Sequence, residues 1–328
     1  MISKVAEWLQ PDLGLVKEYM HSAVKGQAEN ELLERLISES VSNPGKMVRP
    51  LTLFLAAGEK GEKQKERLTF TAAALELLHI SSLILDDMID DSKLRRGRIT
   101  IQAEHGRDVA LYVGDYLLVR SYSCLMERGC HKEAEILMKV GQTACDGEMH
   151  QRANLHDTGV GIDNYMKAIR GKTAFFFKAI CRMACLIAER DDEERERLEE
   201  FGEKLGIMFQ IRDDLSDWTQ DEEKLGKPSG EDFSEGIYTL PAIYTFSKDG
   251  YGESLRKIAG KEKLSAEDIN EAKRLVTEAG GIEYTEKYLA GLAEETDDII
   301  SSLPEDRYTK ALKKLVRLCS YDAGGERP

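Results

Sequence analysis

Helical spacing of apolar residues is the feature of this sequence that most restricts its fold. Between Glu66 and Ile89, apolar side chains recur at helical intervals, as at Leu68, Ala72 and Leu75. The same spacing predicts long helices at 109–126, 133–153, 162–188, 193–216, 265–280, 281–302 and 305–318. No segment of useful length alternates with period two, so we predict an all-α fold of at least about ten helices.

Composition agrees with a well-packed helical protein. The chain has 328 residues, of which 41% are hydrophobic and 32% charged, a mixture typical of globular proteins and not of disordered ones. It contains no repeat, no low-complexity tract and no linker rich in Pro, Gly and Ser. We therefore predict a single all-α domain over residues 1–328.

Charge and cysteine usage restrict the partners and the compartment. The 60 acidic against 46 basic residues give a net charge of −14, which argues against a nucleic-acid partner because phosphate backbones require a basic face. None of the six cysteines forms a Cys-x-x-Cys pair, and most lie in apolar helical runs, so we expect reduced thiols. No secretory signal and no apolar stretch of about 18 residues is present, so we expect a cytoplasmic protein without a membrane span.

Two aspartate clusters, each at the end of a strongly apolar helix, are the clearest functional signal. They share the pattern Asp-Asp-x-x-Asp and consist of Asp86, Asp87, Asp90, Asp213, Asp214 and Asp217. The outer carboxylates of each cluster lie four residues apart on one helix face, near the negative end of the helix dipole, so they destabilise the helix unless a cation binds. The pair Asp297 and Asp298 lacks the third carboxylate, and we interpret it as surface.

The ligand types in these clusters indicate a hard cation. Oxygen ligands without His or Cys favour such ions, and Mg²⁺ typically takes one or two carboxylates together with water and phosphate oxygens. Several basic residues precede or follow the clusters, namely Lys46, Arg49, Arg95, Arg96, Lys172 and Lys227. Each alone is more simply an ordinary surface cation, but as a set they predict a diphosphate site.

From about Gly45 to Pro241 the chain resembles the trans-isoprenyl diphosphate synthases, or polyprenyl synthetases. The motifs that carry the resemblance are, in order, GKMVRP, LLHISSLILDDMIDDSKLRRGRIT, VGDYLL, GEMHQ, GKTAFFF, FQIRDDLSD and GKPSGEDFSEGIYTLP. The resemblance implies a multi-helix bundle around a deep central cavity, with the two aspartate motifs facing each other across its mouth. It also implies a homodimer.

The resemblance further implies a reaction, the 1′-4 head-to-tail condensation of isopentenyl diphosphate with an allylic diphosphate to give an all-trans polyprenyl diphosphate. The six aspartates would bind about three Mg²⁺ ions and the allylic diphosphate. The basic groups for the allylic diphosphate would be Arg95, Lys172 and Lys227. Those for isopentenyl diphosphate would be Lys46, Arg49, Arg96 and His79, although His79 could equally be a satisfied polar group on its helix. Lys172, Thr173 and Gln210 would act at the reaction centre, with Glu148 and Gln151 nearby.

Four positions depart from the usual family pattern. Ile237 stands where a lysine is usual, Ile99 where a proline is usual, Leu85 where a histidine is common and Ser216 where an apolar residue is usual. None of these changes removes a predicted metal ligand. The missing cation at Ile237 predicts weaker binding of the allylic diphosphate.

Product length is predicted from two small residues ahead of the first cluster. Ser82 and Ser81 precede Asp86 by four and five residues, which is about one helical turn, or ~5.4 Å. Short-chain enzymes of the family carry bulky aromatic residues there, so two serines predict a product of about C20 or longer. The alternative is that both serines are polar residues on a helix surface.

Two other functions are considered. A class I terpene cyclase shares the helical fold, but its second metal site is an Asn/Asp-Ser/Thr-Glu triad, which Asp213, Asp214 and Asp217 do not form. A non-catalytic subunit of a heteromeric prenyl synthase tends to have eroded aspartate motifs, and both motifs are intact here. The synthase is therefore the preferred interpretation.

Overall fold

The structure, a computed structural model, describes residues 5–95, 97–220 and 229–320 and is helical over nearly all of them. The α-helices in these ranges are α1 (Gln10–Val24), α2 (Glu31–Val41), α3 (Val48–Gly61), α4 (Lys65–Ile89), α5 (Ile101–His105), α6 (Arg107–Met126), α7 (His131–Ala153), α8 (Ile162–Ile169), α9 (Phe175–Ile187), α10 (Asp192–Thr219), α11 (Glu231–Ser234), α12 (Leu240–Phe246), α13 (Tyr251–Ala259), α14 (Ala266–Glu278), α15 (Gly281–Ser301) and α16 (Arg307–Ser320). The prediction of an all-α fold is confirmed.

Two details differ from the sequence prediction. The helix predicted over 162–188 is interrupted by a π-helix at Arg170–Ala174, between α8 and α9. The polar segment after the first aspartate cluster contains a small antiparallel hairpin, in which β1 (Leu94–Arg95) pairs with β2 (Arg98–Ile99). Both features lie next to predicted site residues.

The chain divides into two compact units. The first comprises Met1–Gly141, Ala179–Glu199 and Leu303–Leu315, and the second comprises Gln142–Lys178, Glu200–Ser302 and Val316–Pro328. The first aspartate cluster belongs to the first unit and the second cluster to the second unit. The single domain over residues 1–328 stays a prediction.

The core of the first unit is built around α4, which packs against α1, α3 and α6. Its apolar positions, including Leu75 and Leu77, are fully buried, as the helical spacing predicts. The segment Val48–Ile89 is long and apolar enough to cross a membrane by length and composition alone, but 67% of its most apolar window is buried inside the protein. That degree of burial is typical of a core helix in a globular protein.

In the second unit, three glycines allow close contact with the π-helix. A Cβ atom on Gly147 of α7 would lie 2.3 Å from the backbone nitrogen of Lys172, and one on Gly171 would lie 2.7 Å from the Cα of Gly147. A Cβ on Gly206 of α10 would lie 2.5 Å from the Cα of Ala174. A side chain at any of these three positions would collide with the neighbouring backbone, and glycine has none. The backbones of α7 and α10 therefore contact the backbone of the π-helix directly.

Candidate active site

The first aspartate cluster ends α4 and is partly held by the hairpin that follows it. Asp87 is buried, and its Oδ1 accepts a hydrogen bond of 2.6 Å from the Nε of Arg95 on β1. Burial raises the pKa of Asp87, while the charge of Arg95 opposes that shift. Asp86 is half-buried, and Asp90, the residue that caps the helix, is exposed. Hence the outer carboxylates are the more accessible ones.

The structure places the other predicted residues of the first unit at the start of α3 and on α4. Lys46 is exposed just ahead of α3, where Met47 adopts a left-handed conformation with φ 54°. Arg49 is half-buried in the first turn of α3, and His79 is half-buried on α4. Arg96 lies outside the described residues.

The two predicted chain-length residues have different environments on α4. Ser81 is buried, and its hydroxyl donates a hydrogen bond of 2.8 Å to the carbonyl oxygen of Gly114 on α6. Ser82 is exposed, and its hydroxyl donates to the carbonyl oxygen of His79 at 2.9 Å. A Cβ at Gly114 would lie 2.8 Å from the side chain of Leu85, so glycine allows α6 to approach α4 closely at this point. Their role in setting chain length stays a prediction.

The second aspartate cluster lies near the end of α10 and combines one exposed carboxylate with two buried ones. Asp213 is exposed, whereas only 6% of the Asp214 surface and 2% of the Asp217 surface are accessible to solvent. The Nε2 of Gln210 donates to Asp214 Oδ1 at 2.8 Å, and the hydroxyl of Tyr165 donates to Asp214 Oδ2 at 2.6 Å. Burial raises the pKa of Asp214 to about 6, and these two hydrogen bonds oppose the rise.

The π-helix contributes two predicted site residues to the same unit. The Nζ of Lys172 lies 2.9 Å from Glu148 Oε1 and donates to Gln151 Oε1 at 3.4 Å, both on α7. The hydroxyl of Thr173 donates to Gln210 Oε1 at 2.6 Å. A π-helix inserts an extra residue into a helix and is frequent at functional sites. Here it carries the residues that contact α7 on one side and α10 on the other.

The structure thus brings together most of the predicted residues of the second unit. Direct contacts join Lys172 with Glu148 and Gln151, and others join Thr173, Gln210 and Asp214. Lys227 lies outside the described residues. Ile237 is half-buried, and its backbone N–H donates to the carbonyl oxygen of Asp232 at 2.8 Å.

Sequence reasoning missed Tyr165, which belongs to this hydrogen-bonded group. It lies on α8 seven residues before Lys172, about two helical turns away, and is as buried as Asp214. The strongly amphipathic pattern of α8 was an available signal, since it places Tyr165 on the buried face with Met166 and Ile169.

The donor chemistry of the clusters fits Mg²⁺ even though neither cluster forms a complete metal cage. Among the described residues, no group of three or more His, Cys, Asp or Glu side chains is arranged to hold a metal ion alone. Mg²⁺ requires only one or two carboxylates when substrate phosphate and water complete its shell. The half-buried Asp86 and the exposed Asp213 offer such oxygens.

An all-α fold with two Asp-Asp-x-x-Asp clusters and a lysine on a π-helix defines a class of enzyme, and comparison with known proteins identifies it. The sequence profile of the polyprenyl synthetases matches residues 30–276. Heptaprenyl diphosphate synthase component 2 of Geobacillus stearothermophilus is 38% identical over 74% of this chain and 75% of its own length. Octaprenyl diphosphate synthase of Escherichia coli K12 is 31% identical over 88% of this chain and 89% of its own.

A solved structure agrees with these sequence relatives. The polyprenyl synthase of Caulobacter crescentus CB15, crystallised with calcium and isoprenyl diphosphate, superposes with a TM-score of 0.90 and 27% identity over 98% of both chains. The chain therefore belongs to the polyprenyl synthetase family. It is a prenyltransferase of the trans-prenyl diphosphate synthase class, and neither a terpene cyclase nor a non-catalytic subunit is favoured.

Proposed function

We propose that this enzyme condenses isopentenyl diphosphate with an allylic diphosphate, head to tail and with Mg²⁺, to make an all-trans polyprenyl diphosphate of about C20 or longer. The observation that carries the proposal is the set of contacts in the second unit, where Lys172 and the Thr173–Gln210–Asp214 chain combine a cation with oriented polar groups. The cation of such a site can stabilise the negative charge on a leaving diphosphate, and the oriented polar groups can stabilise the positive charge that remains on carbon.

Each group has a role in that reaction. Bound Mg²⁺, about three ions on the six aspartates, would neutralise charge on the leaving diphosphate. Lys172 and Arg95 bind the allylic diphosphate, so that its C–O bond breaks with the electron pair going to the diphosphate oxygen. Lys46, Arg49 and His79 hold isopentenyl diphosphate while its double bond attacks the allylic carbon. The released diphosphate then takes the proton that completes the new chain.

Product length is proposed from two observations. The relatives from Geobacillus stearothermophilus and Escherichia coli are named as heptaprenyl and octaprenyl synthases, which denotes long chains. Ser81 and Ser82 are small residues one turn ahead of Asp86, where a bulky ring would be expected in a short-chain enzyme. Both observations support a product longer than farnesyl diphosphate.

A homodimer is proposed because α6 carries an exposed apolar stripe. Tyr112, Val119 and Met126 follow one another at intervals of seven residues, with exposed fractions of 66%, 61% and 47%. Met138 on α7 is also exposed, at 42%. Apolar side chains repeated on one helix face are typical of an interface.

Sedimentation tests the proposed homodimer. The purified chain should give twice the monomer mass, and Val119→Lys should lower the measured mass toward that of the monomer. A monomeric wild-type enzyme would favour a second kind of subunit, as the name of the component 2 relative suggests.

A cytoplasmic location is proposed from the cysteines. All six, at positions 124, 130, 145, 181, 185 and 319, are free, and five of them are buried. Burial raises the pKa of Cys124 to about 11 and those of Cys185 and Cys319 to about 12, so these thiols stay protonated and unreactive. Free buried thiols are typical of proteins in a reducing compartment.

Metal dependence gives the direct test of the proposed site. Mg²⁺ with a non-cleavable diphosphate should raise the melting temperature, because a ligand that binds only the native state stabilises it. Asp86→Ala and Asp213→Ala should each abolish turnover and reduce this shift. Asp298→Ala is the matched control, since it removes an exposed aspartate of a pair on α15 and should change neither quantity. Near-normal turnover in either cluster variant would refute the metal assignment.

A further inference from the structure

We propose that Tyr165 is a positioning residue that, through Asp214, fixes the orientation of Gln210 and Thr173 at the reaction centre. The inference builds on the proposed function and adds a residue to it. Tyr165 lies on α8, outside the motifs that define the two aspartate clusters and the lysine. Its hydroxyl donates to one carboxylate oxygen of Asp214, and the amide of Gln210 donates to the other.

Four polar groups form one hydrogen-bonded chain, and nearly all of it is sealed from solvent. Tyr165 donates to Asp214 at 2.6 Å, Gln210 donates to Asp214 at 2.8 Å, and Thr173 donates to Gln210 at 2.6 Å. The solvent-accessible fraction is 6% for Tyr165, 6% for Asp214 and 7% for Thr173, and Gln210 is half-buried. Buried polar groups depend on such partners, because water is not present to replace them.

The direction of every hydrogen bond in this chain follows from the carboxylate. An ionised carboxylate only accepts hydrogen bonds, so the amide nitrogen of Gln210 must face Asp214. The amide oxygen of Gln210 then faces Thr173 and accepts the Thr173 hydroxyl hydrogen. Consequently the remaining lone pairs of the Thr173 oxygen point away from Gln210. An oxygen oriented in this way can stabilise positive charge on a nearby carbon.

Tyr165 is what holds the carboxylate against rotation. Without its hydroxyl, Asp214 Oδ2 would lose the donor that Tyr165 supplies, and the carboxylate could turn about its side-chain bond. Gln210 would follow, because it is bonded to the same carboxylate. Tyr165 itself contacts neither Thr173 nor Gln210 by a hydrogen bond among the described residues, so its effect on the reaction centre passes through Asp214.

The test compares Tyr165→Phe with a matched tyrosine variant. Tyr165→Phe should lower kcat about tenfold and leave the KM for isopentenyl diphosphate unchanged. Tyr238→Phe is the control, because Tyr238 is a buried tyrosine of the same unit, packed against Phe233 and Phe246, whose hydroxyl bonds to no described residue. It should keep the wild-type rate. The melting-temperature shift caused by Mg²⁺ and inorganic pyrophosphate, measured without turnover, should shrink in Tyr165→Phe and stay unchanged in Tyr238→Phe.

A double variant separates positioning from a general structural effect. If Tyr165 acts through Gln210, adding Tyr165→Phe to Gln210→Ala should lower kcat no further than Gln210→Ala alone. Should Tyr165→Phe fail to fold, Tyr165→Met replaces it, since it also removes the hydroxyl that donates to Asp214 while leaving an adaptable apolar side chain at the buried position, and it should give the same loss of kcat. A wild-type rate in Tyr165→Phe, or additive losses in the double variant, would overturn the inference. An inactive wild-type enzyme would instead contradict the proposed function.

Discussion

At the scale of single residues, the aspartates of the two clusters are not equivalent. The middle aspartate of each cluster is buried and held by a neighbour, Asp87 by Arg95 and Asp214 by Tyr165 and Gln210. The first aspartates, Asp86 and Asp213, are more accessible. The sequence spacing predicted the two clusters but could not predict which aspartates of each cluster are buried and which are accessible. Their burial depends on the β1–β2 hairpin and on α8, and no rule of helix periodicity links these elements to the aspartates.

Ile237 gives a prediction at this scale. It occupies a position where a lysine is usual in the family, and the structure places its half-buried side chain just after α11. We expect Ile237→Lys to lower the KM for the allylic diphosphate, because a charge-assisted contact contributes about 1.5–3 kcal/mol. The KM for isopentenyl diphosphate should stay the same. Steady-state kinetics with each substrate varied in turn measure both, and unchanged values would mean that another cation already fills the role.

Ser81 gives the second residue-scale prediction. Its hydroxyl is bonded to the carbonyl of Gly114, so a ring at this position must occupy space between α4 and α6. We expect Ser81→Phe to shorten the product, since a packed site does not easily absorb a large insertion. Ser81→Ala removes the hydrogen bond without adding volume and should keep the product length. Chromatography of dephosphorylated products distinguishes the two, and an unchanged length in Ser81→Phe would place the limit on chain length elsewhere.

At the scale of elements, the long helices were predictable and the π-helix was not. The apolar spacing placed α4, α7 and α10 to within a few residues of their observed ends. A single continuous helix was expected over 162–188, because its apolar spacing shows no break. The interruption at Arg170–Ala174 coincides with the close approaches of Gly147 and Gly206, which are tertiary contacts. Tertiary packing overrides local propensity, and single-sequence patterns do not record it.

The glycine contacts lead to a prediction about stability. Gly147→Ala should destabilise the protein by about 1–3 kcal/mol, because its Cβ would lie 2.3 Å from the backbone nitrogen of Lys172. Gly291→Ala is the matched control, since Gly291 lies within α15 with no neighbouring atom within 4 Å of its Cβ position. That variant should stabilise the helix by about 0.5–1 kcal/mol. Urea unfolding of both variants measures the difference, and equal effects would show that the π-helix does not require this close contact.

At the scale of the whole molecule, sequence reasoning reached the fold class and the family. Helical periodicity supplied the all-α fold, and the ordered motifs supplied the polyprenyl synthetase family that the comparisons confirm. Product length and oligomeric state depend on how helices pack and on which surfaces are exposed. The exposed stripe on α6 is an example. Its residues are as apolar as those of a buried helix face, so the sequence alone does not show that this face is exposed.

The central claim is that this chain elongates an allylic diphosphate with isopentenyl units. The most direct measurement is to incubate the purified enzyme with labelled isopentenyl diphosphate, farnesyl diphosphate and Mg²⁺, and to separate the dephosphorylated products by chain length. We expect prenyl alcohols of about C20 or longer, none without Mg²⁺ and none with Asp86→Ala. Cyclised hydrocarbons, farnesol alone or no product from the wild-type enzyme would contradict the account.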